Sequence, residues 1–153
     1  MTLLESHPTA TSTWQGELPI TNRYTFGLAG EKFFRAIKER GRFLGTHCLH
    51  CQRTYVPATS FCERCFLELD DWIDVDPIGE VESYTILSID EAGAPLPKPM
   101  IIAFIRIKDG GIIHKLAEVE VEEIFFGMPV EAVFKIKKER QGSILDILHF
   151  KPV

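Results

Sequence analysis

All four cysteines of the chain fall within eighteen residues, as Cys48, Cys51, Cys62 and Cys65, in the pattern C-x2-C-x10-C-x2-C with none left over. No other feature limits the fold as much. A gap of two residues lets a tight turn aim both thiolates at one point, and two such turns supply the four sulfurs of a tetrahedral metal site. Zinc fits a closed tetrathiolate best, since thiolates favour it and it brings no redox liability. With sulfur in every position, no place is left for an activated water, so the metal is expected to be structural. Iron in a rubredoxin-like site uses similar ligands, but such knuckles commonly carry glycine after the second cysteine of each pair. Gln52 and Phe66 stand there instead. A redox dithiol needs only one pair. Disulfides suit exported chains, and Met1-Thr-Leu-Leu-Glu-Ser-His-Pro8 lacks the basic stretch and apolar run of an export signal. The expectation is a cytoplasmic protein.

The residues between the cysteine pairs read as a small ribbon. Arg53-Thr-Tyr-Val56 is β-prone, Pro57 ends it, and Ser60-Phe61 leads into the second pair. So small a segment buries too little apolar area to fold alone, and metal binding of about 10 to 16 kcal/mol is expected to hold it. His47 and His50 flank the first pair but are not needed as ligands when four cysteines are present.

Elsewhere the chain changes periodicity. Residues 1–22 show no sustained pattern and read as a flexible or draped arm. From Glu31 to Arg40, Phe33, Phe34 and Ile37 recur at helical spacing and Gly41 supplies a stop, which predicts one amphipathic helix. Beyond the ribbon, strand alternation takes over. Leu69–Val75 leads out, Val81–Ile89 and Met100–Ile107 follow, and Asp90–Pro99 between them reads as a loop with three prolines. Asp109-Gly110 marks a hairpin, so Ile112–Val121 should return antiparallel. Glu122–Gly127 is a short connector, and Val130–Ile136 and Ser143–Phe150 complete the set. Five strands with a short element between the third and fourth are the inventory of an OB-fold barrel; an open five-stranded sandwich has the same inventory. The expected fold is therefore mainly β: an arm over 1–29, an amphipathic helix over 30–45, a rubredoxin-like zinc ribbon over 46–76 and a five-stranded OB-fold over 77–153.

The composition, 45% hydrophobic and 25% charged, is that of a globular protein. The longest apolar run, Met100–Ile105, stops at Arg106, too short to span a membrane. The net charge of -5 is uneven: residues 32–65 carry +5 and residues 66–153 carry -8. A basic segment can face an anion or a partner, or simply be a solvated helix face.

Taken together, Phe33-Phe34, Gly41-Arg42-Phe43-Leu44-Gly45, the four-cysteine ribbon with Tyr55-Val56-Pro57, Gly79 before Ser83-Tyr84-Thr85, and Gly127-Met128-Pro129-Val130 resemble a known family. It is the zinc-ribbon plus OB-fold family long called domain of unknown function thirty-five, associated with acyl-CoA metabolism. The resemblance covers about Gly30 to Val153 and implies an accessory subunit. Such proteins pair with thiolase-like, hydroxymethylglutaryl-CoA synthase-like, hydratase or aldolase enzymes, where the OB domain helps hold or pass a CoA thioester. Residue by residue it carries over to the four cysteines. Lys98, Arg106 and Lys108 are further candidates, chosen by charge and loop context, for contacting the phosphates of acyl-CoA.

No phosphate loop, dinucleotide fingerprint, zinc-protease helix or nucleophile elbow occurs in the chain, and His114 and His149 lie in expected strands without an adjacent nucleophile. The chain is thus expected not to be an enzyme. The alternative is a single-stranded nucleic-acid module, since ribbons and OB barrels both serve that role. The -8 of the barrel segment opposes it.

Overall fold

In the computed structural model, residues 25–90 and 92–153 are described. The expected arm therefore lies outside the described residues up to Tyr24. Helix α1 (Gly27–Arg40) begins one turn before Glu31, and Ala29 joins the buried face of Phe33, Ala36 and Ile37. Gly41 ends it as expected: its φ of 64° and ψ of 38° are left-handed, and its N–H donates to the Ile37 carbonyl at 3.0 Å. Lys38 and Arg40 sit in the last turn, where the helix dipole favours cations.

Strand β1 (Phe43–Cys48) follows, beginning inside the 30–45 segment expected for the helix unit but beyond the Gly41 stop. It is the centre of a three-stranded antiparallel sheet with β2 (Arg53–Tyr55) and β3 (Asp71–Val75), in the order β2-β1-β3. Phe43 pairs with Val75 at one end and Cys48 with Arg53 at the other, so β1 runs from the helix to the cysteines.

The remaining strands, β4 (Ile78–Ile89), β5 (Pro95–Ile107), β6 (Gly110–Leu116), β7 (Pro129–Phe134) and β8 (Ile147–Pro152), close into a barrel in the order β4-β5-β6-β8-β7. Closure settles the choice against an open sandwich. The closing seam is the parallel pair β6–β8, held at Leu116 and Phe150. Three expectations shift. The three-proline loop is shorter than read, because β5 begins at Pro95. Proline sets an extended φ that a strand accepts where no ladder donor is needed, and Leu96–Pro99 bulge away from β4 between the pairs Ile89↔Pro95 and Leu87↔Met100. The return strand stops at Leu116 instead of Val121. The last strand starts at Ile147, since Ser143–Asp146 are taken into a turn: the buried Asp146 carboxylate accepts the amides of Gln141, Gly142 and Ser143 at 2.9, 2.6 and 3.1 Å.

Helix, ribbon and barrel share one core. Phe33, Ile37, Phe43, Leu44, Val56 and Val75 pack in the same cluster as Val81, Ile105, Leu116, Val130 and Phe150 of the barrel. The Phe33 ring stacks on Phe43 at 5.8 Å, and Phe43 in turn meets Phe134 at 5.8 Å and Phe150 at 6.3 Å. Outside this core, the β5–β6 turn clamps β2. The Asp109 amide donates to the Thr54 carbonyl at 2.9 Å, and the Thr54 amide returns a bond to the Asp109 carboxylate at 2.9 Å. Gly110 is needed at this crossing, because a Cβ there would lie 2.3 Å from the Val56 carbonyl oxygen.

Candidate metal centre

Each cysteine pair folds as the same turn. The Gln52 amide donates to the Cys48 carbonyl at 2.7 Å, and the Phe66 amide donates to the Cys62 carbonyl at 2.9 Å. Gln52 and Phe66 both take the left-handed φ, 54° and 60°, that glycine usually fills in such knuckles. The turn geometry therefore survives without glycine. β1 and β2 present the first pair, and an isolated bridge between Phe61 and Glu68 braces the second.

The four Sγ atoms lie within 4.8 Å of one another, with Cys48 and Cys65 at 3.6 Å. A disulfide would bring two sulfurs to about 2.05 Å, and all four cysteines are free. Sulfurs around one tetrahedral ion with bonds of about 2.3 Å stand about 3.8 Å apart. The cluster has that size.

The thiols perturb one another's acidity in this cluster. The Tyr55 hydroxyl, 3.3 Å from Cys62 Sγ, is the main cause that lowers the Cys62 thiol to about 6, and the same contact raises Tyr55 to about 12. Burial, then hydrogen bonds among the thiols, pushes Cys51 up to about 12. A divalent ion placed among the sulfurs would offset the crowding that raises the Cys51 thiol and favour the ionised form. Such an ion would cross-link the two knuckles; the donor set leaves it no open position for chemistry. Cys48 and Cys62 are fully buried, Cys51 and Cys65 half-buried.

His47 turns to Thr54, with Nδ1 2.9 Å from Oγ1, while His50 Nδ1 stands 3.6 Å from Cys51 Sγ outside the four-sulfur group. Nothing in the cysteine spacing signals the Tyr55 contact, nor Thr46, whose buried hydroxyl donates to the Thr59 carbonyl at 2.9 Å and accepts the Thr59 amide at 3.0 Å.

Lys98, Arg106 and Lys108 do not form one cluster. Arg106 and Lys108 line a groove of about 680 Å³ between ribbon and barrel, together with Asp74, Asp76 and Glu80. Arg106 is already paired with Glu80 at 2.7 Å, and Asp74 and Asp76 hold Arg40 and Arg42, each at 2.7 Å. Lys98 lies in the bulged, exposed end of β5 and is not among the residues lining that groove. Charge and loop context selected these three, and pairing with carboxylates was not legible in either. His114 packs edge-on against Phe150 at 6.0 Å, and His149 Nε2 lies 2.8 Å from Glu118, so neither faces a nucleophile.

Comparison with known proteins matches both halves. Residues 35–68 match the profile of the ChsH2 rubredoxin-like zinc ribbon domain, and residues 72–135 that of the ChsH2 C-terminal OB-fold domain. A DUF35 domain-containing scaffold protein of Methanocaldococcus jannaschii is 30% identical over 124 residues, 78% of this chain and 88% of that one. Its namesake in Pyrococcus furiosus is 27% identical over 80% of this chain and 91% of that one. Among solved structures, a DUF35-family protein of unknown function from Sulfolobus solfataricus superposes with a TM-score of 0.65 at 28% identity, covering 83% of this chain and 87% of that one. The Ltp2-ChsH2(DUF35) aldolase superposes with a TM-score of 0.58 at 21% identity over 85% of this chain and 98% of that one, a likeness of fold.

Proposed function

This chain belongs to the DUF35 family of zinc-ribbon and OB-fold scaffold proteins, and from that premise we propose that it is a non-catalytic accessory subunit docking on a CoA-dependent enzyme. Zinc is the ion we assign to Cys48, Cys51, Cys62 and Cys65, as a structural clamp. The working parts are the helix of residues 27–40, the ribbon of 43–75 and the barrel of 78–152. The partner is of the thiolase-like class or a related acyl-CoA enzyme, and acyl-CoA is met within its site, with the barrel closing over the thioester to exclude water. Arg106 is held by Glu80, which makes that groove a poor phosphate holder by itself.

One observation carries the docking: the ribbon exposes Leu49, Phe61, Phe66 and Leu67, with Phe66 79% exposed at a left-handed knuckle position that glycine would fill with less strain. A buried aromatic anchor is the commonest centre of a protein interface. The basic groups of the same region are mostly neutralised within the chain, as Arg35–Glu31, Arg40–Asp74, Arg42–Asp76 and Arg53–Asp109. That leaves little for a nucleic-acid backbone.

Affinity capture of the tagged full chain from its native cells tests the reading. A CoA-dependent enzyme is expected at a stoichiometric level, and Phe66→Asp is expected to reduce its recovery at least about tenfold. Recovery of the chain alone, or of nucleic acid in place of an enzyme, would overturn it.

A further inference from the structure

The β4–β5 hairpin is longer than the barrel that carries it. β7 leaves β4 after the pair Glu80↔Pro129, and the last backbone bonds on that edge join Val81 to Met128 and Gly127 at 2.9 and 2.8 Å. Beyond them the Phe126 ring stands 6.0 Å from the Tyr84 ring. From Thr85 to Ile89, β4 pairs only with β5 among the described residues, so its other edge presents open amides and carbonyls. The β5 half of the hairpin bears Pro95, Pro97 and Pro99 and is a poor template; Thr85-Ile-Leu-Ser-Ile89 carries no proline and no charge. All five residues are exposed, among them Ile86 at 40%, Leu87 at 41% and Ile89 at 58%.

Open backbone groups specify their occupant, which is another extended strand. We propose that the outer edge of Thr85–Ile89 pairs antiparallel with the same edge of a second copy of this chain, forming a two-fold dimer through a four-stranded sheet of two hairpins. The register follows from the boundaries. The bonds to Met128 and Gly127 hold the edge at Val81, Phe126 stands beside Tyr84, and the turn at Asp90 ends the strand after Ile89, so we set Thr85 opposite Ile89 with the axis through Leu87. Across Thr85–Ile89, self-pairing in this register sets no charged residue opposite another. Asp90 of each copy falls opposite Tyr84 of the other, which carries the small residues Ala92, Gly93 and Ala94 of the hairpin tip toward Phe126, 73% exposed. A lone two-stranded arm is marginal in water, and doubling it removes both the exposed apolar groups and the open edge.

Sedimentation or light scattering of the full chain across a concentration series reads the outcome. The wild type is expected to dimerise. Leu87→Lys sets two ammonium groups on the axis and should raise the dissociation constant by about 100-fold, as loss of an interface centre does. Ile113→Lys, at a 69% exposed position on β6, should leave it unchanged. Ile89→Lys repeats the test if the first variant fails to fold by circular dichroism. A chain that stays monomeric at every concentration overturns the proposal. So does a dimer indifferent to both lysines, or a monomer whose Leu87→Lys variant loses an enzyme partner instead, since that edge would then take the enzyme's strand.

Discussion

Asp146 shows how much one side chain holds. Its burial raises the carboxyl pKa, but the amides of Gln141, Gly142 and Ser143 outweigh that, and Lys135 adds to them, so the group sits below its ordinary range. A depressed folded-state value stabilises the protein fully above the unfolded value of about 4 and loses that contribution as pH falls through it toward the folded one. Asp146→Asn is expected to cost about 1 to 3 kcal/mol at neutral pH. In thermal melts taken from pH 6 down to 3, the variant should lose less stability than the wild type; an equal slope would refute the assignment. Phe66 makes the converse case. Phe66→Gly relieves the left-handed strain and should raise stability by about 1 kcal/mol, while enzyme capture falls. A purely structural Phe66 would lose both. The four cysteines were legible because their spacing is local chemistry. Asp109 and Asp146 were not, since their partners are set by tertiary contact and nothing in the spacing of Thr54 and Asp109 announces them.

At the level of elements, alternation and turn residues placed the helix, the ribbon and five barrel strands, but not their ends. Strand ends are decided by what competes for the backbone: the Asp146 carboxylate claims Ser143, and the bulge at Leu96–Pro99 lets β5 start among prolines. The union of ribbon and barrel was also hidden, because periodicity says which face is apolar and not what covers it. Gly110→Ala tests that union. The Val56 carbonyl must move to admit the methyl group, and a loss of roughly 1 to 3 kcal/mol in denaturant unfolding is expected. Chelation separates the two ends of the ribbon. Hydrogen exchange should rise sharply over 48–69, where the small cluster of Cys48, Tyr55, Cys62 and Leu69 has little else to hold it. Phe43 and Leu44 should stay protected in the main core. Uniform exchange across the chain would contradict a metal-held tip on a self-sufficient body.

On the scale of the whole molecule, the shared aromatic core makes helix, ribbon and barrel one body, with a candidate docking tip at the knuckles and a projecting hairpin at β4–β5. A body of that kind suits a scaffold: it can fix a distance between enzymes without performing a reaction. No helix among the described residues is long and apolar enough to cross a membrane. The most direct measurement is turnover of acyl-CoA substrates by the captured enzyme, with this chain present, removed and restored, beside the purified chain alone. Turnover should fall on removal, recover on restoration and be nil for the chain by itself; acyl-CoA conversion by the isolated chain, or a partner indifferent to its loss, would contradict the account.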